Sequence, residues 1–204
     1  MPVNRVEIGI RALQINDLDG IMAIEPAVYG AHHWSRQSFI NELTNPAGSY
    51  FGATEPKDET LVGYSGFWLV QDEAHVTTLA VHPDYRRRKI GERLLINNII
   101  EARKLGANWL TLEVRASNES AQTLYYKYNF RRLGVRPKYY QDNSEDALVL
   151  WTDRLTEIKF VDMFLSRLAE FDMPTRGISE LFLGPTAAPG WRAEESIMAD
   201  RATA

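Results

Sequence analysis

Cysteine is absent from this 204-residue chain, and histidine occurs only four times. Without cysteine there is no disulfide, no thiolate zinc site and no cysteine nucleophile. An oxidised secreted scaffold is therefore excluded, and a reducing, cytoplasmic setting is expected. His32, His33, His75 and His82 lack metal-ligand spacing, so no metal is expected. No window approaches the roughly 18 apolar residues of a membrane span. The N-terminus, MPVNRVEIGIRAL, has none of the charged head, apolar run and cleavage site of a signal peptide. A strong charge imbalance is missing too. The formal net charge is -4, and residues 151–204, with nine acids against six bases, carry -3 of it. The near-neutral body has no bulk attraction for nucleic acid or an anionic membrane. What is present is an ordinary globular composition, 45% hydrophobic and 25% charged, at a length suited to one domain with an appendage.

Alternation of Val6, Ile8 and Ile10 predicts a short half-buried strand. Asn16 is placed to cap a helix carrying Leu18, Ile21, Met22 and Ile24, and Ser35 to cap a second carrying Phe39, Ile40 and Leu43. A hairpin follows from Tyr50, through the polar turn at residues 55–59, to Val70, and a third strand runs from Ala74 to Val81. A long helix from Ile90 to Leu105 ends at Gly106. After it come a strand from Trp109 to Val114, a helix from Glu119 to Tyr128 with Asn129 at its left-handed end, and strands at Phe130–Tyr140 and Ala147–Trp151. This order of elements argues an α+β fold, a mixed sheet covered by helices. Beyond Leu155 the pattern changes. Val161, Phe164, Leu165 and Leu168 predict an amphipathic helix over residues 157–171 with an intramolecular apolar face, and a Pro/Gly-rich, partly loose tail follows. The expected division is 1–155 and 156–204.

The sharpest local feature is TLAVHPDYRRRKIGERLL, in which Arg86, Arg87, Arg88, Lys89 and Arg93 surround Gly91 at a helix start. A helix N-terminus offers unpaired N–H groups and a positive dipole end, and guanidinium groups grip phosphate oxygens in pairs. The segment reads either as a phosphate cradle or as a solvated basic turn. Glu113 ends a strand, where it is either a general base or a solvated carboxylate. Tyr125, twelve positions on, is either a proton donor or core. Asn118 is by position a helix N-cap.

The basic segment resembles the acyl-CoA loop of the GNAT N-acetyltransferases, Gln/Arg-x-x-Gly-x-Gly/Ala, with Arg86 in first place, Gly91 in last, and Lys89 where the family has its first glycine. Downstream, LEVRASNESAQTLYYKYNF is similar to the LEVRxSNxxAxxLYxxxGF segment of the RimI-like ribosomal-protein alanine acetyltransferases in that superfamily, and the likeness extends to HHWS and RPKYYQDNSEDALVLW. In outline it covers residues 6–152.

The resemblance implies a GNAT fold, a twisted, mostly antiparallel sheet of about seven strands flanked by about four helices, with a C-terminal helical extension added. It implies acetyl-CoA as co-substrate, held by Leu79, Ala80, Val81, Arg86, Arg87, Arg88, Lys89, Ile90, Gly91, Glu92 and Asn118. Glu113 becomes the proton acceptor and Tyr125 the proton donor. Trp34, Tyr139 and Tyr140 fall in the segments that face the acceptor, although the two tyrosines also suit cross-strand packing. The implied partner is a protein N-terminus, the N-terminal alanine of a small-subunit ribosomal protein. Acetylation of a small amine, and a non-catalytic acyl-CoA-binding module, are the rival readings.

Overall fold

The computed structural model describes residues 8–171, 173–175 and 177–184. Two compact units divide between Asp153 and Arg154.

The first unit runs β1 (Gly9–Ala12), α1 (Leu18–Tyr29), α2 (Arg36–Leu43), β2 (Gly48–Thr54), β3 (Leu61–Val70), β4 (Glu73–Val81), α3 (Ile90–Lys104), β5 (Trp109–Arg115), α4 (Glu119–Tyr126), β6 (Phe130–Tyr140) and β7 (Glu145–Thr152). Its strands form one seven-stranded sheet in the order β1-β2-β3-β4-β5-β7-β6, antiparallel everywhere except between β4 and β5. That is the mixed sheet the sequence predicts, with helices on both faces. Ile21, Ile24 and Phe39 from α1 and α2 cluster with Tyr50, Tyr64 and Ala80 of the sheet. Ile90 and Leu94 of α3 cluster with Ala53 and Val62 instead. Within β3, Tyr64 joins the α1–α2 cluster while the next residue, Ser65, bonds to Asn98 of α3 at 2.9 Å, so successive residues serve opposite layers, as a two-residue side-chain period requires.

The pairing of β4 with β5 positions the site. It runs only from Glu73 to Val76 against Trp109 to Leu112. At that point β4 carries a bulge, since Val76 and Thr78 pair with the adjacent β3 residues Phe67 and Gly66, and Thr77 is left between them. A bulge bends and twists its strand. The hydroxyl of Tyr50 lies 3.0 Å from that of Thr77, and Gly66 makes room for the Tyr50 ring, because a Cβ there would lie 2.2 Å from it. Beyond the bulge, Leu79 to Val81 pair with β3 on one side, and the β5 register does not continue on the other.

Several local expectations are refined. Val6 lies outside the described residues, and the first strand starts at Gly9. Asn16 caps nothing. A 3-10 turn at Ile15–Asp17 precedes α1, and Asp17 accepts from the Gln14 N–H at 2.7 Å and from Arg11 at 2.7 Å. Ser35 caps α2 as predicted, its hydroxyl oxygen accepting from Ser38 N–H at 3.1 Å.

In the second unit the predicted amphipathic helix is α5 (Ile158–Ala169). A second helix, α6 (Ile178–Leu183), lies in the stretch read as Pro/Gly-rich tail. Its Phe182 stacks on Phe160 and tilts onto Phe164, which supplies the burial that a six-residue helix lacks by itself. The later part of the tail lies outside the described residues.

Candidate active site

The basic loop is built by a turn, not by a helix. Pro83–Tyr85 forms one 3-10 turn, and Arg87 (φ 64) and Lys89 (φ 60) then take left-handed backbone before α3 begins. Lys89 is the N-cap of α3 in the αL region. Asn129 holds the same conformation after α4 (φ 56). Both positions are glycine in the resembling motifs, and this chain keeps the glycine-type backbone while changing the side chain, at a cost of roughly 1–2 kcal/mol for the lysine that asparagine largely escapes.

Arg86, Arg87, Arg88 and Lys89 are all exposed. Arg86 donates to the carbonyl of Val81 at 3.4 Å, and Arg88 lies over the Tyr85 ring at 4.9 Å and 3.5 Å from Glu55. The first N–H groups of α3 have no acceptor one turn back within the helix. A Cβ on Gly91 would meet Leu79 at 3.5 Å, Val81 at 3.6 Å and Leu124 at 4.0 Å, so the bare backbone of this turn faces the end of β4 and the side of α4. Ile90 is buried beneath. Glu92 is buried as well, and its carboxylate accepts from Tyr128 at 3.2 Å and lies 3.6 Å from Lys127, so only its backbone is directed to the loop. Asn118 caps α4, its Oδ1 accepting from Ala121 N–H at 3.1 Å, and its amide nitrogen remains as a donor.

On the far side, Glu113 of β5 meets Arg136 of β6, with Oε1 to the guanidinium at 3.0 Å. Arg136 lies 5.5 Å from the Tyr139 ring, Tyr139 stands edge-on to Tyr140 at 5.2 Å, and Arg115 covers the Tyr140 ring at 3.9 Å. Arg115 also grips Asp142 through two bonds of 3.0 and 2.9 Å and Glu145 at 3.2 Å, which fixes the β6–β7 loop to β5. The hydroxyl and N–H of Ser117 hold the Glu145 carboxyl down to about 2.

Tyr125 of α4 is 7% exposed, its ring 5.5 Å from Phe130. Burial raises its pKa well above the usual tyrosine value, and the neighbouring hydroxyls of Tyr29 and Tyr140 add to the rise. Tyr140 is pushed up to about 12 by burial, with Glu113 among the contributors. Tyr29 reaches the carbonyl of Leu79 at 3.5 Å. Electrostatic influence thus links Glu113 to Tyr140, Tyr140 to Tyr125 and Tyr125 to Tyr29, whose hydroxyl reaches Leu79 near the end of β4. A cleft of about 330 Å³ is lined by Val28, Tyr29 and His32 on one side and Arg115, Ser117, Asp142, Asn143 and Glu145 on the other.

Sequence reasoning gave no role to Tyr29, Arg115 or Arg136, although Arg115 and Arg136 lie within the LEVR and RPKYY segments of the resemblance, because their partners are distant in the chain. Trp34 is placed elsewhere. It packs on Phe39 at 5.4 Å and lines a different hollow with Ser38, Asn41 and Glu42. Among the described residues no group of three or more metal-ligating side chains occurs, and no helix is long and apolar enough to cross a membrane.

A family model described as "Acetyltransferase (GNAT) family" matches residues 18–130. A "Putative [ribosomal protein bS18]-alanine N-acetyltransferase" of Bacillus subtilis is 36% identical over 147 residues, 72% of this chain and 96% of that protein. The Escherichia coli "[Ribosomal protein bS18]-alanine N-acetyltransferase" is 34% identical over 143 residues, 69% of this chain and 94% of that one. A crystal structure of the E. coli ribosomal-protein-S18-alanine N-acetyltransferase superposes with a TM-score of 0.65, at 33% identity, covering 71% of this chain and 92% of the other.

Proposed function

Because this chain belongs to the acetyltransferase (GNAT) family and is an N-acetyltransferase, we propose that it moves acetyl from acetyl-CoA to a protein N-terminal α-amine. The proposed acceptor is the N-terminal alanine of a small-subunit ribosomal protein. The observation that supports this reading is that the pairing of β4 with β5 ends at Leu112, immediately before Glu113, while Tyr140 lies within electrostatic reach of both Glu113 and Tyr125.

The residues suit the co-substrate. Four exposed cations and the bare turn at Gly91 offer charge and N–H donors to a pyrophosphate. The unextended side of Leu79–Val81 offers backbone groups to the pantetheine arm, which can lie there like another strand. Bound acetyl-CoA supplies a thioester that an amine attacks, forming the amide C–N bond as the C–S bond breaks. Glu113 accepts the proton that the amine loses, directly or through one water. Tyr125, kept neutral by its burial, donates the proton that the departing sulfur needs and recovers one from solvent. Tyr139, beside Arg136, and Tyr140, within electrostatic reach of Glu113, are assigned to the acceptor side of this pair.

Mass-resolved acetylation of an N-terminal peptide library, run beside a panel of polyamines, amino acids and aminoglycosides, tests the proposal. Alanine-first peptides are expected to be modified at the α-amine. An enzyme that ignores every peptide and acetylates a small amine overturns it.

A further inference from the structure

Glu25 is an acid that the chemistry above does not use, yet it is 1% exposed in α1. Its Oε2 accepts from the backbone N–H of Trp34 at 2.7 Å. Its Oε1 accepts from the hydroxyl of Tyr64, a fully buried β3 residue whose cross-strand partner is Ala80. Between Glu25 and Trp34 the chain passes through Tyr29, then Gly30 at φ 60, then His32. Tyr29 and His32 form one wall of the 330 Å³ cleft. One buried carboxylate therefore ties the far end of this loop back to its start and both to the sheet.

A carboxylate is costly to bury unless hydrogen bonds compensate it, so it is a poor choice where only packing is needed. It suits a place that needs two acceptors held in fixed directions, and Glu25 supplies both. Burial raises its pKa, with the Trp34 N–H and His33 opposing the rise.

We propose that Glu25 is a positioning residue that fixes the loop from Pro26 to Trp34 as the wall of the acceptor cleft, so that acceptor binding, and not acetyl-CoA binding, depends on it. This rests on reading that cleft as the acceptor site.

The test compares Glu25→Ala, Glu25→Gln and Tyr64→Phe in the full chain by steady-state kinetics and by amide hydrogen exchange. Loss of both acceptors in Glu25→Ala is expected to raise the acceptor KM about tenfold, with the acetyl-CoA KM within about twofold. Exchange across residues 26–34 rises with it, and exchange across Ile90–Lys104 does not. Glu25→Gln can accept from Trp34 and donate to Tyr64, so it restores the acceptor KM to within about threefold of the parent. Equal rises in both KM values, an unmoved acceptor KM, or a glutamine as damaging as alanine overturns the proposal. Should Glu25→Ala not fold, Tyr64→Phe removes one donor only, and a rise in acceptor KM below about twofold counts against the clamp. If small amines prove to be the acceptors, the peptide reading fails while the clamp is still judged on the amine KM. If the parent acetylates nothing, exchange across residues 26–34 decides it.

Discussion

Arg136 and Glu113 join hands across a strand to which neither belongs. The guanidinium of Arg136 on β6 lies 3.0 Å from Oε1 of Glu113 on β5, with β7 between them. Two strand spacings separate their backbones by about 10 Å, so only two long side chains can close the gap. The pair sits at 57% and 29% side-chain exposure, so it adds at most about 1 kcal/mol to stability. Its consequence is for the carboxylate's direction. Glu113→Gln is expected to lower kcat about 100-fold or more at saturating acetyl-CoA. Arg136→Ala removes the orienting contact and leaves the carboxylate, so its loss is about tenfold or less. Initial rates with an alanine-first peptide check both, and an unchanged rate in Glu113→Gln ends its assignment as proton acceptor.

Tyr125→Phe keeps the ring against Phe130 and removes the hydroxyl. Its kcat is expected to fall about 100-fold with little change in Tm. Burial keeps the Tyr125 hydroxyl protonated past the ordinary tyrosine range. Its ionisation therefore contributes no alkaline loss of kcat below about pH 10. A pH–rate profile of the parent from neutral to that limit reads this directly.

Gly91→Ala separates folding from binding. The new methyl would make ordinary contacts with Leu79, Val81 and Leu124. Replacing a glycine in the first turn of α3 gains about 0.4–1 kcal/mol. Calorimetry is expected to show a slightly higher Tm, while the acetyl-CoA KM stays within about twofold, because the resembling loop accepts alanine at this place and the methyl packs on those three side chains, leaving the N–H donors of the turn in place.

Lys89→Gly tests the neighbouring substitution. Glycine takes φ 60 without steric penalty, which offsets its entropic cost in the unfolded chain. Stability is expected to hold or rise by up to about 1 kcal/mol, read by urea unfolding. A loss of more than that shows that the lysine side chain, and not the backbone turn, is what the loop needs.

High pH should weaken the fold. Burial leads the causes that raise Tyr50, Tyr125 and Tyr140 above the ordinary tyrosine value. The folded chain then holds protons that the unfolded chain gives up above about pH 10, so stability is fully present below that pH and falls as pH rises beyond it. Thermal unfolding at pH 9 and pH 11 checks the sign.

Most of the fold could be read from local patterning. Apolar period and punctuation place the strands and the long helix to within a few residues, and the left-handed turn at Asn129 is visible because asparagine tolerates it. The misses share one cause. Asn16 is a good capping residue next to a better-connected rival, since Asp17 is held by Arg11 from a neighbouring strand. Helix α6 is too short to announce itself and exists through Phe160 and Phe164.

The site divides in the same way. The sequence determines the basic turn, Gly91, Glu113 and Tyr125, because each is carried by a contiguous motif whose spacing encodes strand, turn and helix. Only the tertiary structure decides that Tyr29, Arg115, Arg136 and Tyr140 surround them, and that Trp34 lines a different hollow. Arg115 shares β5 with Glu113, but Tyr29 comes from α1 and Arg136 and Tyr140 from β6, far apart along the chain. β6 reaches Glu113 across β7, and on the other edge of β5 a bulge at Thr77 marks where β4 stops pairing with it. At that bulge the Tyr50 hydroxyl meets Thr77, and Gly66 leaves room for the Tyr50 ring, contacts between residues far apart in the chain that no local window of sequence contains.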